Sequence, residues 1–169
     1  MIQQQDTVLD EITYGFPDHS RVWVYQSSRP FSESEHKAVS EKLQGFNENW
    51  ESHGQPVKSV ASVLYGQFIV FAIDDTPNKA GGCSIDTSVH LMKQLEKDYN
   101  IELFNRLQVV AFSTEGQMMN FKFSDTTDLL KQGILNADST IFNNAISSVK
   151  ELKDNWQIPL KESWLKKYL

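Results

Sequence analysis

The sequence predicts an α+β protein: a ferredoxin-like βαββαβ antiparallel sheet with an added strand and a helical C-terminal extension. Three observations lead there. The run Phe68-Ile69-Val70-Phe71-Ala72-Ile73 is short, rich in β-branched and aromatic residues and closed by Asp74-Asp75, so it reads as a strand buried on both faces. Two amphipathic helical patterns flank it, and two short Gly-containing turns join apolar runs into hairpins. Strand, helix, strand, hairpin, strand, helix, strand is the resulting order.

Residues 1–20 are polar, with isolated apolar positions at Val8, Leu9 and Ile12 and a turn at Tyr14-Gly15-Phe16-Pro17. Arg21 to Gln26 alternate, with Trp23 and Tyr25 on one face and Val22 and Val24 on the other, as in a strand inside a sheet. Ser32-x-x-Glu35 is a capping box that starts the first core helix, and Val39, Leu43, Phe46 and Trp50 give that helix one apolar stripe. Gly54 suits the left-handed position after the helix end. Val57 to Tyr65 form the next strand, and Tyr65-Gly66-Gln67 turns it directly into the central one.

Gly81-Gly82 then deliver Cys83 and Ser84 to the start of a second helix, in which Ile85, Val89, Met92 and Tyr99 recur at helical spacing. Leu107 to Phe112 form a fourth core strand, and Ser113-Thr114-Glu115-Gly116 reads as a hairpin into Gln117 to Phe123, with Met119, Phe121 and Phe123 inward. The remainder reads as helical. Ser124-Asp125 cap a short helix stopped near Gly133, Ile141, Ala145, Val149, Leu152 and Trp156 mark a longer one, and a last amphipathic turn follows Pro159. One domain over 1–169 is expected, divided into an N-terminal segment 1–20, a sheet-and-helix core 21–123 and a helical extension 124–169.

Composition narrows the function classes. With 22 acidic against 16 basic residues the net charge is −6, and the basic residues are scattered, so nucleic acid is not an expected partner. A single cysteine permits neither an internal disulfide nor a Cys-based zinc site, which fits the reducing cytoplasm. Residues 1–6 lack the pattern of a signal peptide and no apolar run is long enough to span a membrane, so a soluble, unexported protein is expected. His19, His36, His53 and His90 show no HxH, HxxxH or HExxH spacing; neither a metal nor any other cofactor is expected.

In a ferredoxin-like sheet of order 4-1-3-2, Trp50, His53, Asp75, Cys83, Ser84 and Asp86 gather at one edge with His19, while Arg29 and Arg106 lie at the opposite edge. Cys83 is the most pointed of these, because helix N-terminal amides favour a thiolate. That effect is worth only about 0.3–1 kcal/mol, so thiol chemistry needs a cation, His53 first and Lys79 second. In the plainer reading Cys83 is a small side chain under a loop and His53 an exposed cap. Gly81, Gly82 and Ser84, with Trp50, could instead cradle an anionic ligand, although Asp86 would oppose it. The tryptophans and phenylalanines could line an apolar pocket between the sheet and the C-terminal segment, or simply form core.

The stretches VWVYQSSRPF, W-x-x-HG at Trp50 to Gly54, GGCSIDTSV at Gly81 to Val89, LFNR at Leu103 to Arg106 and IFNNAI at Ile141 to Ile146 resemble a family of small bacterial proteins, mainly from Bacteroidetes. The resemblance covers nearly the whole chain. That family is uncharacterised and implies no catalytic residue; some members are labelled "ABC transporter ATPase". A P-loop requires GxxxxGK[ST], whereas Gly81-Gly82 precede Cys83-Ser84 with no lysine.

Two functions follow as expectations. The first is a noncatalytic module that binds a small molecule or a protein partner, with a homodimer as one form of the latter. The alternative is a thiol-dependent enzyme or redox sensor with Cys83 as nucleophile, His53 as base and the loop amides as oxyanion donors.

Overall fold

The computed structural model describes the backbone of residues 2–169 and the side chains of residues 7–169. Helix α1 (Ile2–Ile12) leads into β1 (Arg21–Gln26), then α2 (Glu33–Asn49), a small hairpin of β2 (Glu51–Ser52) and β3 (Gln55–Pro56), β4 (Lys58–Leu64), β5 (Phe68–Asp74) and α3 (Gly82–Tyr99). The C-terminal part adds β6 (Gln108–Phe112), β7 (Met118–Lys122), α4 (Thr126–Lys131), β8 (Thr140–Phe142), α5 (Val149–Asn155) and β9 (Gln157–Pro159). The protein is thus α+β with antiparallel sheets.

β5 is the centre of a sheet ordered β1-β5-β4, and every one of its residues is buried. Its alternation divides two cores. Ile69, Phe71 and Ile73 face α2 and α3 with Val39, Leu43, Met92 and Leu95, while Phe68, Val70 and Ala72 face Val110, Phe142, Val149, Leu152 and Trp156. Phe71 is the hub of the first core: Trp23 stacks on it at 5.7 Å, and Trp50 and Phe46 meet it edge-on at 6.2 Å. A third core lies on the far face of the second sheet, where Val109, Ala111, Phe121 and Ile141 pack on Leu135, Leu160 and Leu165.

The capping box forms as expected: Glu35 N–H donates to Ser32 Oγ at 3.2 Å and Ser32 N–H to Glu35 Oε2 at 2.8 Å. The hairpins between β4 and β5 and between β6 and β7 form as well. Gly54 has a different role from the one expected. α2 ends at Asn49, and His53 (φ 54) with Gly54 (φ 73) makes the two-residue turn of the β2–β3 hairpin, since both positions of a type I′ turn require positive φ.

Three further expectations are corrected. The order 4-1-3-2 is met for three strands only: β6 does not lie beside β1 but in a second sheet ordered β7-β6-β8-β9. A strand has two edges, and β7 takes one through the hairpin while β8 takes the other at Ala111↔Ile141. The helix expected over Ile141 to Trp156 is instead β8, a loop and α5, because Ser148 caps a new helix by accepting from Glu151 N–H. Finally, α3 turns Ser84, Ser88, Met92 and Leu95 inward, leaving Val89 half-exposed.

Candidate functional site

The β2–β3 hairpin docks on the loop that leads into α3. Gly81 N–H donates to Ser52 Oγ at 3.1 Å, Ser52 Oγ donates to Lys79 O at 3.2 Å, and Asn78 Nδ2 reaches Ser52 O and Gln55 O, both at 3.1 Å. Trp50 Nε1 donates to Ser84 O at 2.9 Å and Ser84 Oγ to Glu51 O at 2.9 Å. His53 therefore sits over Gly81: a Cβ there would lie 3.3 Å from Nε2. The structure brings Trp50, His53, Gly81 and Ser84 together, with exposed Cys83 and Gly82 beside them. The polar atoms of Trp50 and Ser84, and the Gly81 amide, are spent on holding hairpin and helix together.

Asp75 lies at the same end of the sheet, where Arg21 Nη2 donates to Oδ1 at 2.9 Å and Ala80 N–H to the same oxygen at 3.0 Å. Burial pushes its carboxyl up, but these bonds more than offset that and leave it below its ordinary value. Asp86 is exposed. Among the described residues no group of three or more His, Cys, Asp or Glu side chains is gathered as a metal site requires.

A substantial cavity lies along β1. Because β6 leaves β1, a cleft of about 610 Å³ opens between the β1 edge and the second sheet. Its lining includes Trp23, Tyr25, Ile85 and Phe104 together with Phe142, Ala145 and Trp164. Tyr25 and Phe104 meet edge-on at 5.5 Å, and Phe104 and Trp164 remain 42% and 47% exposed, a large apolar surface left open. Burial raises the Tyr25 phenol above its ordinary value against the opposing bonds to Trp23 and Ser88, so its hydroxyl is neutral at any physiological pH.

A polar chain ties the two sheets along the cleft. Trp156 Nε1 donates to Asn144 Oδ1 at 3.0 Å, Asn144 Nδ2 to Gln26 Oε1 at 2.9 Å, and Gln26 Nε2 to Gln108 O at 3.2 Å. Among the described lining residues Arg106 is the one charged side chain, and none is a carboxylate. Arg29, by contrast, stays at the α3 C-terminus, where it binds Glu35 and donates to Tyr99 O at 2.7 Å. Sequence reasoning missed Gln26, Arg106, Gln108 and Asn144 as site residues, and a fourth strand on β1 would have closed this space. The Asn143-Asn144 pair inside an otherwise apolar run was the available signal. No helix among the described residues is long and apolar enough to cross a membrane.

Comparison of the chain with protein-family models, with curated proteins and with solved structures finds no match.

Proposed function

We propose that this protein is a noncatalytic binding module whose ligand is a small amphipathic molecule held in the cleft between β1 and the second sheet. The cleft's composition carries this reading: about 610 Å³ with aromatic walls, a few convergent amides and a single cation, in a chain of net charge −6. Ligand sites are commonly concavities of roughly 300–1,000 Å³ of this apolar-with-few-polar-groups kind. Arg106 favours a ligand with an anionic end. A protein partner, including a second copy of this chain, and the cytoplasm as its compartment belong to the same proposal.

The fold is read in the same terms. The β1–α2–β4–β5–α3 segment corresponds to a ferredoxin-like unit whose fourth strand has been drawn into a second sheet, and the vacated edge has become the binding site.

Native mass spectrometry of protein taken gently from cells tests the proposal. Wild type should carry an added mass that Ala145→Trp lacks, because Ala145 is an exposed cleft residue and the indole fills the space. A bare chain in wild type, or the same added mass on both, would reject the small molecule in this cleft; a bare chain would leave the protein partner.

A further inference from the structure

We propose that the cleft takes a short extended peptide whose main chain pairs with Val24 and whose free carboxylate meets Arg106, an inference that rests on the cleft being the binding site. Backbone polarity in a strand alternates, so residues along one edge are every second one. Ser27 N–H donates to Gln67 O on the β5 side, whereas Val22 N–H donates to Ser147 O at 3.0 Å and Ser28 N–H to Glu102 O at 2.9 Å on the other. Val24 therefore turns both its N–H and its C=O to the cleft, and no described residue bonds to either.

An unbonded donor and acceptor side by side on a strand edge match one residue of an extended peptide, which offers the reciprocal pair. The free stretch is short. It is closed by Ser147 at Val22 and by Glu102 at Ser28, and the six steps between those positions at about 3.3 Å each leave under about 20 Å of edge. That length suits roughly a tripeptide and excludes a long added strand. Charge sets the polarity, since Arg106 meets no carboxylate in the lining and makes no ion pair with a described residue.

The probes are a random tripeptide pool with free C-termini, the same pool amidated, and phenylacetate, each titrated into the ¹⁵N-labelled full chain. With the free-acid pool the Val24 amide signal is expected to move and its hydrogen exchange to slow. Amidation, or Arg106→Gln, should weaken half-saturation by about tenfold, the loss of a charge-assisted pair worth about 1.4 kcal/mol. Arg106 is exposed, so its replacement leaves the fold intact. An unmoved Val24 amide, or equal binding of acid and amide pools, overturns the inference. If phenylacetate alone moves the Trp23 and Trp164 indole signals, the peptide class falls while the cleft remains the binding site.

Discussion

Gln26 and Asn144, 118 residues apart in the chain, are joined by a 2.9 Å hydrogen bond that links the first sheet to the loop after β8. The same Asn144 side chain accepts from the indole of Trp156, which is 1% exposed. Replacing Asn144 by Leu strands a buried donor and a buried acceptor together. At about 1–3 kcal/mol for each unsatisfied group, a loss of about 2–6 kcal/mol is expected in urea denaturation. A loss under about 0.5 kcal/mol would mean that these bonds do not hold the sheets together.

Core placement makes a graded prediction. Phe71 and Met92 are both 0% exposed, so Phe71→Ala should cost about 3–5 kcal/mol and Met92→Ala about 2–5 kcal/mol. Val89 is half-exposed on α3, and Val89→Ala should cost under about 1 kcal/mol. Equal costs at positions 89 and 92 would place the wrong face of α3 against the sheet.

Acid stability should depend on Asp74. The Thr76 hydroxyl, and then Lys58 at 2.9 Å, hold its carboxyl at about 2, against the opposing effect of burial. An unfolded aspartate titrates near about 3.9, so the folded value is depressed. Its contribution is complete above about pH 4 and is lost as pH falls towards about 2. Glu35, held at about 2 chiefly by Arg29, shares that window. Denaturation at pH 5 and at pH 2.5 should show a smaller difference for Asp74→Asn than for wild type; an unchanged difference would remove Asp74 from the acid limb.

Thiol chemistry can be separated from binding by alkylation. Cys83 is exposed and His53 stands over Gly81, but the cleft's lining includes neither residue and takes only Ile85 from this end of α3. Iodoacetamide should modify Cys83 in the folded protein at a rate that His53→Ala leaves unchanged. A marked fall in that rate would revive His53 as the base of a reactive thiol.

Local signals were legible in the sequence and nonlocal ones were not. The buried run Phe68 to Ile73, the Ser32/Glu35 capping box and the hairpin at Tyr65-Gly66 are each specified within a few residues, and all three form. On α3 the expected Ile85, Met92 and Tyr99 pack on the first core, but the centre of the face is shifted from Val89 to Ser84 and Ser88, which look polar yet donate their hydroxyls to Glu51 O and Ile85 O and so can be buried. Ile141 to Trp156 matched helical spacing throughout, and only the Ser148-x-x-Glu151 cap signalled that the helix starts late. At the candidate site, the meeting of His53 with Gly81 followed from the edge to which their loops were assigned. The cleft did not, because it exists only through the departure of β6 to a partner, β8, that carried no strand signal of its own.

The most direct measurement is a crystal structure of the protein purified without denaturation from its own cells. Electron density is expected along β1, within bonding distance of the Val24 main chain and walled by Trp23, Phe104 and Trp164. An empty cleft in protein whose mass shows a bound molecule, or density at Gly81 to Ser84 instead, would contradict the assignment of this cleft as the binding site.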